Sequence, residues 1–377
     1  MKQMFRETWA EVDLSAIRHN IKQIKNKLQK DTEVTAVVKA DGYGHGAVQV
    51  AKAALQAGAT RLAVALLEEA MTLREAGITA PVIVLSAVSP SCAKVAADND
   101  IELTFYHAEW VEAVALEELS SPLKLHMKWD TGMGRAGIRT KKELKALLRS
   151  LLNKKCVKLV GIYTHFATAD EEDITYFNKQ SERFKALLDS FKEDWTDQVS
   201  IHVGNSAAAI RHPDEMLDFV RFGVSTYGLY PSSYIKRNDF IDLKQAFSLH
   251  SKLIHVKEVE KGEAIGYGST YIASKREWIG TIPLGYGDGW SRQLQGIDVL
   301  VGGEKSPIIG RICMDQLMIR LTKPHKIGTK VTLIGEQEGS FIDMDEIAEY
   351  LGTINYEIPC MLKERIPRIY LNEHKND

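Results

Sequence analysis

Eight short apolar runs, rich in β-branched residues, punctuate the first 226 positions of the chain. They are VTAVVKA (34–40), LAVAL (62–66), PVIVLS (81–86), IELTFY (101–106), LKLHMKWD (123–130), LVGIYTHF (159–166), VSIHVGN (199–205) and FVRFGVST (219–226). Between most of them lie stretches with apolar residues at helical spacing: AVQVAKAALQAG (47–58), LEEAMTLREAG (67–77), KKELKALLRSLL (141–152) and FNKQSERFKALLDSF (177–191). The first two end on glycine, a helix-stop signal. Strands alternating with helices predict an α/β fold with a parallel sheet. Alternation alone does not say whether the sheet closes, but eight near-equal units suit a (β/α)8 TIM-type barrel better than a doubly wound sheet of about five or six strands.

After about residue 240 the pattern changes to short strands and glycine-centred turns: HSKLIHVKEVEKGEAIGYG, WIGTIPLGYGDGW, VLVGGEKSPIIGRICMDQLMIRL and KVTLIGE. That reads as a mainly-β domain of hairpins. One helix is expected over 343–351, with Asp343 as its N-cap. The expected division is therefore 1–240 for the barrel and 241–377 for the β domain.

Composition narrows the function classes. The 377 residues are 45% hydrophobic, and 48 basic side chains against 50 acidic ones leave a net charge of −2. Such a balance favours neither nucleic acid nor a membrane surface as partner. The four cysteines, at 92, 156, 313 and 360, are scattered, without CxxC spacing or a Cys/His cluster, so no disulfide framework and no metal site is expected. The start, MKQMFRETWAEVD, has no apolar signal region, and no apolar run approaches the roughly 20 residues of a membrane helix. A cytoplasmic location follows as an expectation.

Lys39 is the first candidate for chemistry. It ends the first barrel strand, on the rim where barrel enzymes place catalytic groups. An apolar strand before it favours partial burial, which lowers a lysine pKa and frees an amine able to form a Schiff base. The following DGYGHG lets backbone approach a ligand closely, and Tyr43 supplies a hydroxyl. Residues alone leave a solvated strand-end lysine as the alternative.

VVKADGYGHG, preceded by RETWAEVDLSAIRHN (6–20), resembles the pyridoxal-phosphate signature of the alanine racemase family. The likeness continues through KWDTGMGRAG (128–137), THFATAD (164–170), HVGNSAA (202–208), VRFGVSTYGLYP (220–231), AIGYGSTY (264–271), PLGYGDGW (283–290), RICMDQ (311–316), INYEIP (354–359) and RIPRIY (365–370). It implies a pyridoxal 5′-phosphate-dependent racemase acting on a small amino acid, built as a barrel followed by a β domain. It also implies a homodimer with shared active sites.

The resemblance assigns roles residue by residue. Lys39 would hold the cofactor covalently and serve as base on one face. Tyr267, contributed by the partner subunit, would be the base on the other face, with His165 and nearby arginines favouring its phenolate. Arg221 would meet the pyridine nitrogen, and Arg135 the cofactor's phenolic oxygen and the substrate carboxylate. Lys128 matches a lysine that some members carry as a carbamate and that holds the arginine at Arg135's position. Met314, with its neighbour Asp315, would help bind the substrate carboxylate. Tyr43, Ser206, Tyr356 and the amides of Gly223 and Val224 would cradle the phosphate. Tyr286 and Tyr356 would narrow the entrance. Phe222 stands where many members have proline, and Gly287 where alanine is usual. Two rivals remain: a serine or broad-specificity racemase, and a non-catalytic pyridoxal-phosphate carrier. GYGSTY (266–271), which a carrier would not need, argues against the second.

Overall fold

The computed structural model describes residues 5–373, which divide into two compact units. One unit contains Ala16–Gly42 and Ala47–Gln245; the other contains the described residues up to Ser15, the segment Tyr43–Gly46 and the chain from Ala246 on.

The first strand, β1 (Thr8–Asp13), belongs to the second unit. Eight parallel strands build the first: β2 (Glu33–Val37), β3 (Arg61–Val64), β4 (Val82–Val84), β5 (Ile101–Phe105), β6 (Leu123–Lys128), β7 (Val157–Tyr163), β8 (Ser200–His202) and β9 (Phe219–Phe222). They are ordered β8-β7-β6-β5-β4-β3-β2-β9. The ends of this sheet meet through two backbone bonds, Asp218 N–H to Ile201 O (3.0 Å) and Arg221 N–H to Gly204 O (2.9 Å). The Asp218 carboxylate also accepts from Ile201 N–H (2.6 Å). The sheet is thus a nearly closed TIM-like barrel, as expected, with each strand near its predicted run. The expected helices are present as Ala47–Gln56, Leu67–Glu75, Lys141–Leu151 and Thr175–Asp194. β4 and β5 are buried along their whole length. Parallel strands covered on both faces read as continuous apolar runs, which is why they were visible in the sequence.

The second unit is mainly β. Its strands are β10 (Phe247–Lys252), β11 (His255–Val259), β12 (Ala264–Ile265), β13 (Tyr271–Ile272), β14 (Glu277–Ile282), β15 (Asp298–Val301), β16 (Glu304–Ile309), β17 (Leu317–Leu321), β18 (Lys330–Gln337), β19 (Ser340–Ile342) and β20 (Arg368–Leu371). Most join in one sheet ordered β11-β14-β17-β16-β15-β18-β10-β1-β20, with β19 on β18. β1 lies antiparallel to β10 and parallel to β20. The predicted helix is Met344–Leu351, and Asp343 caps it by accepting from Asp345 N–H. Among the described residues, no helix is long and apolar enough to cross a membrane.

Candidate active site

All eight barrel strands point the same way, so the residues at their C-terminal ends share one rim. Lys39 follows β2, Lys128 ends β6, His165 follows β7, Ser206 opens a short helix after β8, and Gly223 and Val224 follow β9. The expected barrel-side residues therefore converge.

The turn carrying Lys39 is strained. Ala40, Asp41, Gly42 and Tyr43 lie at φ 51°, 50°, 59° and 51°, a left-handed turn in which three residues carry a Cβ. Each such residue costs about 1–2 kcal/mol. Hydrogen bonds over-determine it: Gly42 N–H donates to Val38 O (2.9 Å), and the Asp41 carboxylate accepts from Ala47 N–H (2.9 Å). Glu69 accepts from Ala40 N–H (2.5 Å) with one oxygen and from Ala65 and Leu66 N–H with the other. Strain held in this way clusters at functional sites.

Positive charge collects around the rim. Burial drives the Lys128 amine down to about 8, helped by Arg135, Arg221 and Lys39 and opposed by Asp130. His165 falls well below the ordinary histidine value, first through burial and then through Arg221, Arg135, Lys128 and Lys39. It is neutral at physiological pH. Arg135 sits on an exposed loop, and among the described residues its guanidinium makes no hydrogen bond.

Arg221 is buried, and its donors are almost all committed. Nη1 donates to His202 Nδ1 (2.8 Å) and His202 O (3.1 Å); Nη2 donates to Thr164 O (2.7 Å) and Val203 O (3.3 Å), with His165 Nδ1 at 3.4 Å. Only Nε–H has no acceptor among the described residues. Burial brings the guanidinium down to about 10, which still leaves it charged at neutral pH. Its Cζ stands 5.1 Å over the Tyr163 ring, and Lys128 Nζ 5.9 Å over the same ring. Burial pushes the Tyr163 phenol up to about 12, so it stays protonated against Thr104.

At the ends of β8 and β9, Gly223 N–H donates to Ser206 Oγ (2.8 Å), so the serine's own O–H remains a donor. Asn205 caps the Ser206–Arg211 helix by accepting from Ala208 N–H. Val224 begins a 3-10 turn, whose first amides have no partner inside it.

The remaining expected residues lie in the second unit. Tyr43 and Tyr356 face each other at 6.4 Å between ring centroids. Burial, then Tyr356 and Cys360, raise the Tyr43 phenol, which keeps it a hydroxyl donor. Gly44 permits the close approach beside them: a Cβ there would lie 2.2 Å from Pro359 O, at φ +78°. Tyr267 stands at the tip of the β12–β13 hairpin, 70% exposed, between Gly266 and Gly268 at positive φ. The Arg311 guanidinium abuts Gly268. Met314 and Tyr286 lie together, because Tyr286 N–H donates to Cys313 O and Gly287 N–H to Met314 O. Asp315 is paired with Arg365 (2.7 Å), and Arg365 also reaches buried Asp288, which holds Arg6 at 2.8 Å.

Sequence reasoning missed His126, His202, Glu102 and Tyr163, which pack behind Arg221, and the Asp288 pairs behind Met314. One signal could have found the first group: β5, β6 and β8 each carry a buried Glu or His in an otherwise mostly apolar run.

Comparison with known proteins agrees with this arrangement. Residues 12–231 match the model of the alanine racemase N-terminal domain, and residues 246–370 that of the alanine racemase C-terminal domain. An alanine racemase of Anoxybacillus flavithermus is 51% identical over 98% of this chain and 96% of its own. The crystal structure of alanine racemase from Bacillus anthracis with bound L-Ala-P has a TM-score of 0.96 at 49% identity, covering 99% of this chain and 97% of that one. A histidine racemase from Leuconostoc mesenteroides has a TM-score of 0.90 at 32% identity, covering 98% and 99%. The chain belongs to the alanine racemase family and is an enzyme, an amino-acid isomerase.

Proposed function

We propose that the protein interconverts L- and D-alanine with pyridoxal 5′-phosphate by a two-base mechanism, and so supplies D-alanine for peptidoglycan. The observation that carries the reading is the convergence of Lys39, Arg221 and the Ser206–Gly223 pair on one barrel rim.

The residues present fit the cofactor. Arg221 keeps one donor, Nε–H, uncommitted, which suits a ring nitrogen. The Ser206 hydroxyl, the amides at Val224, the protonated hydroxyl of Tyr43 and the hydroxyl of Tyr356 suit a phosphate. Lys39, on its strained turn, would hold the aldehyde carbon. Once bound, the cofactor supplies an electron sink that acidifies the substrate's Cα–H.

The chain's own groups then divide the work. Arg135, exposed and uncommitted, takes the substrate carboxylate together with the Met314 amide of the partner subunit. Lys39 moves a proton at Cα on one face, and Tyr267 of the partner subunit does so on the other, which inverts the centre. His165, kept neutral by burial and then by its cationic surroundings, can accept a hydrogen bond near that tyrosine. Arg221 remains charged and so cannot hand a proton to the ring nitrogen. A weaker sink shortens the life of deprotonated Cα, and reprotonation outruns loss of the carboxylate.

Tyr286 and Tyr356 narrow the entrance in favour of a methyl side chain. An apolar pocket rejects an added hydroxyl only by about a hundredfold, so a serine or broader activity is the second reading. A histidine racemase on the same fold shows that relatives of this architecture carry other names.

The test uses two inactive variants. Mixed Lys39→Ala and Tyr267→Ala chains should regain racemisation of L-alanine, because one site of each heterodimer keeps both bases. Verified heterodimers without activity would refute the shared site.

A further inference from the structure

Behind Arg221 runs a continuous line of buried polar side chains. Arg221 Nη1 donates to His202 Nδ1 at 2.8 Å; His202 Nε2 lies 3.1 Å from His126 Nδ1; His126 Nε2 lies 2.8 Å from Glu102 Oε2. Arg61 stands beyond, 3.4 Å from the same carboxylate. All four inner residues are at most 5% exposed. Their strands, β5, β6, β8 and β9, surround the barrel interior.

The direction of every proton follows from one fact: a guanidinium has donors and no acceptor. His202 Nδ1 must therefore accept, which places the His202 proton on Nε2. His126 Nδ1 must then accept as well, and its proton sits on Nε2, aimed at Glu102. A charged His126 would require His202 to be an anion. Both imidazoles are thus neutral, with their donors all oriented from the guanidinium to the carboxylate.

The surroundings are built for this line. The His202 ring is stacked between Tyr163 (4.7 Å, 12°) and Phe219 (4.1 Å, 21°), so it cannot turn. Gly161 makes room for His126: a Cβ there would lie 2.1 Å from its Nδ1. Burial raises the Glu102 carboxyl, but the His126 hydrogen bond and nearby cations outweigh it, leaving it below the usual range. His202 is held well below the histidine value by burial and by Arg221, in agreement with a neutral ring.

We propose that Glu102 is a positioning residue for Arg221, acting through neutral His126 and His202 to fix the guanidinium so that Nε–H is its one available donor. The inference rests on the reading of Arg221 as the partner of the cofactor's ring nitrogen, and it adds an anion three links away. Aligned hydrogen bonds polarise one another, so the carboxylate's potential reaches the guanidinium.

Neutron diffraction on the cofactor-free protein tests the line by itself. Deuterium should appear on Nε2 of both His126 and His202 and on neither Nδ1; any other pattern overturns the proposal. Glu102→Gln keeps an acceptor for His126 but removes the charge. In that variant cofactor affinity should fall about tenfold, as expected for losing one charge-assisted bond. The pH midpoint of the holoenzyme's visible band should also fall, because a negative charge has gone. Unchanged affinity and midpoint would overturn the proposal; if the variant fails to fold, the neutron result on the natural chain decides. Arg221→Ala separates the two readings: cofactor affinity equal to the natural chain's refutes the ring-nitrogen assignment, whatever the proton positions are.

Discussion

Lys128 should react with carbon dioxide. Its amine is buried in β6 among Arg135, Arg221 and Lys39, with Asp130 as the opposing charge, and burial with those cations brings it to about 8. At that pH about half of the amine is neutral, whereas an ordinary lysine near 10.4 is neutral to well under 1%. The structure therefore predicts on the order of a hundredfold more nucleophilic amine at this position. The ammonium first loses one proton; attack of the neutral amine on CO2 then forms an N–C bond and releases a second, so that a repelled cation becomes an anion facing arginines. The same shift has a sign for stability. Between about pH 8 and the ordinary lysine value the unfolded chain holds the extra proton, so this residue's contribution rises with pH across that window. Protein incubated with 13C-labelled bicarbonate at about pH 8 should show a carbamate carbonyl resonance, absent from Lys128→Ala. No Lys128-dependent resonance, or one that needs pH above about 10, would refute the reasoning.

Three further outcomes are expected. Ala40→Gly should leave stability unchanged or raise it by up to about 1 kcal/mol, since relief of a left-handed alanine outweighs the added chain entropy; a loss of about 1 kcal/mol in denaturant unfolding would contradict the strained turn. Ser206→Ala leaves the buried Gly223 N–H without its acceptor and removes a hydroxyl donor, so cofactor affinity measured by titration should fall by about tenfold or more; unchanged affinity would remove Ser206 from the cradle. Tyr356→Ala should widen the entrance and raise kcat/KM for serine relative to alanine by about tenfold, scored by chiral chromatography; an unchanged ratio would acquit the tyrosine.

The barrel was legible because strands buried on both faces leave unbroken apolar runs, and the eight runs coincide with β2 to β9. β1 was not. TWAEVD carries two acidic residues, and its partners, Ser251 in β10 and Arg368 in β20, lie more than two hundred residues away. No local signal announces so distant a pairing. The rim positions were legible through motif resemblance, since Lys39, Arg221 and Ser206 sit in stretches that resemble the family's motifs. Glu102 and His126 were not, because a polar residue inside a strand run reads equally as an outward-facing one. Only register across neighbouring strands, Leu103 against Leu125 and Thr104 against His126, fixes which side chains meet.

The glycines of DGYGHG act differently from what flexibility suggests. Gly44 and Gly46 are where other groups press close, Pro359 O and Tyr370 Oη lying 2.2 Å and 1.8 Å from where a Cβ would be. The left-handed turn itself spans Ala40 to Tyr43, and three of its four residues carry a Cβ that disfavours that geometry. A chain shaped for stability alone would set glycine in place of Ala40. Here the cost is offset by the Asp41 and Glu69 hydrogen bonds, which hold the backbone beside Lys39 in one conformation. On the proposed reading, the rigid, clamped turn that follows Lys39 holds its amine to one place on the rim. The same demand appears at Arg221, whose donors are committed until a single direction is left. On the proposed two-base reading, fixing both groups before any ligand arrives would confine proton movement to the Cα between the bases, and that confinement would separate racemisation from the other outcomes open to the same cofactor.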